Sequence, residues 1–118
     1  MKNLTKQITW NNVNASNEEI KGYVNNYAKD MNVYTSNLVI NNGNVSFTTY
    51  SKITYDNLVK KLIREKYSAD DEYKLHREAF INGIGAEFNE YNTYVEECKI
   101  KAKQFIAERE SALNDTNW

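Results

Sequence analysis

The sequence of 118 residues contains no proline, one cysteine and one histidine. A single cysteine excludes an internal disulfide and any metal site built from several cysteines. No stretch approaches the roughly 18 apolar residues of a membrane helix, and the first residues lack the apolar run of a secretory signal. The net charge of −1 gives no general attraction to nucleic acid or anionic membranes. We therefore expect a protein of the reducing cytosol with no membrane partner and no nucleic-acid partner.

The first 31 residues contain a strand pattern followed by a helix pattern. One side of a predicted strand over residues 4–10 carries, at period two, Leu4, Lys6, Ile8 and Trp10, and only the lysine departs from an apolar face. Ser16 and Glu19 have the spacing of a capping box, which predicts a helix over residues 17–31. Gly22 inside this helix is expected to mark a close approach to the sheet, because glycine otherwise weakens a helix.

Two further strands are predicted over residues 33–40 and 45–53. They are separated by Asn41-Asn42-Gly43-Asn44, and an Asn-Gly pair between two β-rich runs is a strong hairpin signal. The side of the second strand that is predicted to face the core carries Val45, Phe47, Thr49 and Ser51. Residues 1–52 therefore predict a small antiparallel sheet with one helix, a β-α-β-β body.

The residues that follow have apolar side chains at helical spacing. Thr54 is placed to cap a helix whose apolar stripe is Tyr55, Leu58, Val59, Leu62 and Ile63. Ser68 and Asp71 begin a second helix, and its inward side is predicted to carry Glu72, Leu75, His76, Ala79 and Phe80. Gly83 and Gly85 are then predicted to break this helix or to turn the chain.

A long last helix is predicted over residues 87–113. Its stripe at steps of three and four residues consists of Phe88, Tyr91, Val95, Cys98, Ala102, Phe105, Ile106 and Leu113. Such a helix is roughly 40 Å long, which exceeds the width of a core of this size. We expect the stripe to form a protein interface anchored by Tyr91, Val95, Cys98, Ala102 and Phe105, although packing within the chain would give the same spacing.

The predicted fold class is α+β, with the β-α-β-β body followed by three C-terminal helices of which the last is long. The body occupies residues 1–52, the helical region residues 53–113 and a polar tail residues 114–118. We expect these parts to form one compact domain, because 118 residues is an ordinary domain size.

Side chains that could carry chemistry are few. His76 follows Glu72 by one helical turn, as a base and its orienting carboxylate would, but no serine or cysteine accompanies them at a recognisable spacing. Cys98 lies on the apolar stripe and is interpreted as a small core residue. Asp70 and Asp71 suit a helix N-terminus better than a cation site, because consecutive helical residues point in different directions. The sequence thus predicts no enzyme, no metal site and no cofactor.

Two compositional features could indicate a binding partner, but each also has an explanation within a single domain. The basic residues of the first C-terminal helix could contact phosphates, but acidic neighbours favour a solvated face; they are Lys60, Lys61, Arg64 and Lys66. Nine tyrosines are more than a core of this size needs. Tyrosine is enriched at protein interfaces, yet half-buried tyrosines within one domain would give the same composition.

Residues 53–107 resemble a segment shared by small, mostly uncharacterised proteins of tailed phages and prophages that are encoded among virion structural genes. The resemblance is carried by Ile53-Thr54-Tyr55-Asp56-Asn57-Leu58-Val59-Lys60-Lys61-Leu62-Ile63-Arg64-Glu65-Lys66-Tyr67-Ser68, by Asp71-Glu72 and Leu75-His76-Arg77, and by Glu90-Tyr91-Asn92-Thr93-Tyr94-Val95-Glu96-Glu97-Cys98-Lys99. These stretches contain no catalytic signature.

The resemblance implies a non-enzymatic structural or accessory component of a phage tail or capsid. Such a protein would assemble in the host cytoplasm, reside in the virion and bind itself or other virion proteins through its helical half. The alternative is a small phage accessory protein that binds a host protein stoichiometrically, as an inhibitor or an adaptor.

Overall fold

The computed structural model describes residues 3–115 and confirms the predicted α+β fold. The elements in chain order are β1 (Thr5–Trp10), α1 (Asn17–Met31), β2 (Val33–Asn41), β3 (Asn44–Ser51), α2 (Tyr55–Arg64), α3 (Ala69–Asn82) and α4 (Ala86–Asn114). Where the sequence predicts bounds, they differ from the observed ones by at most two residues. Residues 116–118 of the predicted polar tail lie outside the described residues.

The chain divides into two compact units. The sheet unit consists of Met1–Lys52 together with Ala107–Trp118, and the helical unit consists of Ile53–Ile106. The boundary after Lys52 coincides with the one that the sequence predicts. The predicted helical region continues to residue 113, whereas the last turns of α4 belong to the sheet unit.

Helix α1 begins at the predicted capping box. The Ser16 hydroxyl accepts a hydrogen bond from the Glu19 N–H at 3.2 Å, and the Glu19 carboxylate accepts one from the Ser16 N–H at 3.2 Å. Asn32 ends the helix in the left-handed conformation with φ of 54°. The expectation for Gly22 is wrong, because a Cβ there would meet nothing within 4 Å.

The three strands form an antiparallel sheet in the order β1-β3-β2. The predicted hairpin joins β2 to β3, and Asn42 and Gly43 both have positive φ, of 50° and 80°, as a type I′ turn requires. Gly43 is also required sterically, since a Cβ there would lie 2.9 Å from the Val13 carbonyl oxygen.

One face of the sheet packs against α1. Ile20 and Val24 of the helix and Val45 and Phe47 of β3 are at most 1% exposed and form the core of the sheet unit. The Phe47 ring makes edge-to-face contacts with Trp10 and Tyr27, at centroid distances of 5.1 and 5.6 Å. The predicted core side of β3 is therefore confirmed.

The last turns of α4 pack on β2 and β3 in the same unit. The Ser36 hydroxyl donates a hydrogen bond to the Ala112 carbonyl at 2.8 Å. The buried Arg109 donates through Nη1 to the Ser51 carbonyl at 2.8 Å, and its guanidinium carbon lies 5.5 Å from the centroid of the Tyr34 ring. Arg109 thereby satisfies the hydrogen-bonding requirement of the Ser51 carbonyl at the end of β3 and makes a cation–π contact with Tyr34.

The helical unit contains α2, α3 and the larger part of α4. The Thr54 hydroxyl caps α2 by accepting from the Asn57 N–H at 3.3 Å, as predicted. Helix α3 begins at a capping box of Ser68 and Asp71. The apolar stripe of α2 supplies the buried side chains Leu58, Leu62 and Ile63.

Candidate interaction surface

The predicted interface residues of α4 are covered by the chain itself. Tyr91, Cys98, Ala102 and Phe105 are at most 4% exposed, and Val95 is half-buried. A partner could reach the four buried side chains only after the chain around them had opened. The stripe thus has the burial of an intramolecular core, which the apolar spacing alone could not distinguish from a subunit interface.

Tyrosines join the helices of the helical unit. The Tyr94 hydroxyl donates to the Leu62 carbonyl at 2.9 Å. The Tyr67 ring contacts the rings of Tyr91 and Tyr94 edge to face, at 5.1 and 5.6 Å. The Lys66 ammonium lies 5.0 Å from the Tyr94 ring centroid, within cation–π range. Tyr67, Tyr91 and Tyr94 therefore serve packing within the helical unit.

Glu72 of α3 connects α2 with α4. Its carboxylate accepts hydrogen bonds from the Arg64 guanidinium and from the Tyr91 hydroxyl. Partial burial acts to raise the pKa of Glu72, but the hydrogen bonds from Tyr91 and Arg64 outweigh it and hold the pKa below its ordinary value. Burial, and then the Glu72 carboxylate, raises the pKa of Tyr91 from 10.0 to about 12.

The Tyr91 phenol makes stability fall at alkaline pH. The contribution of this phenol to the free energy of unfolding is complete below its ordinary pKa of 10.0. That contribution is lost as the pH rises through the pKa of about 12 that Tyr91 has in the folded chain. Tyr91→Phe should cost about 1.5–3 kcal/mol near neutral pH, since it removes a hydrogen bond to a charged group. We expect this difference to shrink as the pH rises above 10. Urea titrations of both proteins across this range measure it, and a constant difference would contradict the assignment.

The residues considered for catalysis take part in packing within the helical unit. The Glu72 carboxylate is held by Arg64 and Tyr91. The His76 ring lies edge-to-face on Phe88 and Tyr91 at 5.2 and 5.6 Å. Cys98 is buried, and this burial raises the pKa of its thiol, which lowers the thiolate fraction. Within residues 3–115, no group of three or more His, Cys, Asp or Glu residues could hold a metal ion.

Two of the basic residues considered for phosphate contacts have acidic partners. Arg64 forms an ion pair with Glu72, and Lys66 lies 3.7 Å from the Glu90 carboxylate. Lys60 is exposed on α2. Because these carboxylates neutralise part of the positive charge, the electrostatic attraction of the cluster for a polyanion such as nucleic acid is weaker.

Helix α3 carries a cluster of exposed apolar side chains in the helical unit. We define the outer face of α3 by Tyr73, Lys74, Arg77, Phe80 and Ile81, which share one side of the helix at steps of three and four residues. Phe80 is 93% exposed, Tyr73 67% and Ile81 63%. No residue of α3 is buried. The helix therefore presents aromatic and aliphatic side chains where solvent-facing helices usually carry polar ones.

The inward position predicted for Phe80 is wrong. The half-buried residues of α3 are Glu72, Leu75 and Ala79, and a residue one step after Ala79 is rotated by about 100° away from that side. The sequence did contain a signal for the outer face, since Tyr73, Arg77 and Ile81 recur every four residues. Ile84, which follows the helix, is 67% exposed and extends the same apolar region along the chain.

Within residues 3–115, no helix combines the length and the apolar character needed to span a membrane. The chain matches no protein-family profile, no curated protein and no solved structure.

Proposed function

We propose that this chain is a non-enzymatic structural or accessory component of a tailed-phage virion and that it binds a neighbouring virion protein through the outer face of α3. The observation that carries the proposal is the exposure of Phe80 and Ile81, at 93% and 63%, on a helix without a buried residue. Burying a side chain of this kind is worth about 1.5–3 kcal/mol. Covering the face therefore gives a partner a substantial driving force.

The composition of the outer face also favours a protein partner. Arginine and aromatic residues are enriched in protein interfaces, and Arg77 lies one helical turn before Phe80 and Ile81 on the same face. Lys74 adds a second exposed cation. We expect the complementary surface to combine apolar side chains with carboxylates, which would pair with these cations as they lose contact with water.

The resemblance of residues 53–107 to proteins encoded among virion structural genes supports the virion as the place of this contact. The outer face of α3 lies within that segment. The buried stripe of α4 has a different part in the proposal, because it holds together the helical unit that presents α3. In this proposal Tyr91 and Ala102 stabilise the helical unit and do not contact the partner.

Aspartate on the outer face of α3 should remove the chain from the particle without unfolding it. In the double variant Phe80→Asp/Ile81→Asp, two charges would have to be desolvated in the interface, which costs several kcal/mol. We expect at least a tenfold loss of copies per purified virion, measured by quantitative peptide mass spectrometry. The free chain should lose only about 1 kcal/mol of stability, because both aspartates lie in the last turn of α3, at the negative end of the helix dipole.

Ile100→Asp is the matched control, because Ile100 is an exposed isoleucine of α4, at 56%, outside the proposed face. It should leave incorporation unchanged. Equal incorporation of wild type and double variant would contradict the proposal. A chain that is missing from particles but captures a host protein through Phe80 and Ile81 would favour the inhibitor or adaptor function instead.

A further inference from the structure

We propose that the free edge of β1 pairs with β1 of a second copy of this chain, antiparallel and about a two-fold axis. The six strands would form one continuous sheet in the order β2-β3-β1-β1-β3-β2. This contact is separate from the outer face of α3, and each can fail without the other. It rests on the direction of the backbone groups of β1 and on the residues that the two-fold axis would bring together.

The hydrogen bonds between β1 and β3 determine which backbone groups of β1 remain open. The Ser51 N–H donates to the Leu4 carbonyl at 2.7 Å, and the register is unbroken from Thr5 to Trp10. In an antiparallel pair the hydrogen-bonded positions alternate. The N–H and C=O groups of Thr5, Gln7 and Thr9 therefore point away from β3, and within residues 3–115 no other strand pairs with β1.

The two edges of the sheet differ in how they are protected. The β2 edge has a register shift between Ser36 and Val39, with Asn37 at a φ of 59°. Bulges are a common protection against edge pairing. Strand β1 is regular, its outward residues are exposed, and Lys6 is its one charge.

A second copy fits this edge because β1 is complementary to itself. An axis through Gln7 places Thr5 opposite Thr9 of the second copy and Gln7 opposite its own equivalent. Threonine pairs stabilise antiparallel sheets. Lys6 would lie opposite Ile8 of the second copy, so that no like charges face each other. All of the outward backbone groups of Thr5, Gln7 and Thr9 would find partners in this one register.

Proline at position 7 tests the pairing with little change to the folded chain. The Gln7 N–H points outward, so Gln7→Pro removes no hydrogen bond of the β1–β3 ladder, and proline is tolerated on edge strands in this orientation. The matched control is Gln7→Thr, which also removes the side-chain hydrogen bond from the Thr48 hydroxyl but keeps the backbone donor.

Light scattering over a wide concentration range should give the mass of two chains for wild type and for Gln7→Thr. Gln7→Pro should raise the dissociation constant by about a hundredfold or more, which at micromolar concentrations yields monomer. Phe80→Asp/Ile81→Asp should remain a dimer. A monomeric wild type, or a dimer that Gln7→Pro leaves intact, would overturn the proposal.

A nitroxide on Gln7→Cys in a Cys98→Ala background tests the register without proline. Hydrogen-bonded residues of an antiparallel pair have Cα atoms about 5.5 Å apart, so the two labels should show strong dipolar coupling that is lost on dilution with unlabelled chain. A dimer without that coupling would overturn the β1 pairing and indicate that another surface holds the copies together.

Discussion

Ala102→Asp is expected to unfold the helical unit at neutral pH. Ala102 is fully buried, with 0% of its surface exposed, and it lies on the stripe of α4 whose neighbours Cys98 and Phe105 are also buried. An unpaired carboxylate placed there would cost several kcal/mol, whereas a domain has a stability of about 5–15 kcal/mol. Circular dichroism should report a large loss of helix.

The control for this substitution lies on the same helix. Ala107 is exposed, so Ala107→Asp introduces the same side chain with the same small loss of helix propensity but without burial. We expect it to stay folded, with a loss of about 1 kcal/mol or less. An Ala102→Asp protein that remained folded and only dissociated would mean that the α4 stripe is a subunit interface.

Phe47→Ala should destabilise the sheet unit by about 3–5 kcal/mol. Phe47 is completely buried at the centre of that unit, and its ring contacts Trp10 and Tyr27 edge to face. The substitution removes both ring contacts and leaves a cavity between the sheet and α1. Chemical denaturation monitored by Trp10 fluorescence measures the loss, and Trp118→Phe removes the second tryptophan of the sequence from the signal.

Phe80→Ala provides the comparison, because it is the same substitution at a side chain that is 93% exposed. We expect a change of about 0.5 kcal/mol or less. If both substitutions had equal effects, the assignment of Phe47 to the core and of Phe80 to the surface would be contradicted.

Local signals in the sequence predicted most of the fold. Ser16 with Glu19, and Asn42 with Gly43, act within a few residues of themselves, so the capping box and the hairpin turn could be predicted without knowledge of the tertiary structure. The bulge at Asn37 had no comparable signal. It depends on how β2 aligns with β3, which is a non-local property.

The interaction surface was harder to predict, because helical spacing identifies an apolar stripe but not what covers it. The α4 stripe with Cys98 and Ala102 has the same periodicity whether another helix of the chain or another subunit packs on it. Phe80 follows His76 by four residues, so helical spacing predicts that it shares the inward side. Its true position depends on which arc of α3 the rest of the helical unit covers, and only the folded chain determines that.

The most direct test of the proposed function compares Phe80 in the free chain and in purified virions by hydroxyl-radical footprinting. Phe80 is 93% exposed in the chain alone, so it should be oxidised readily there. We expect at least tenfold protection in the particle, while Ile100 of α4 keeps its reactivity. Virions that lack the chain, or that contain it with Phe80 as reactive as in the free protein, would contradict a structural contact through the outer face of α3.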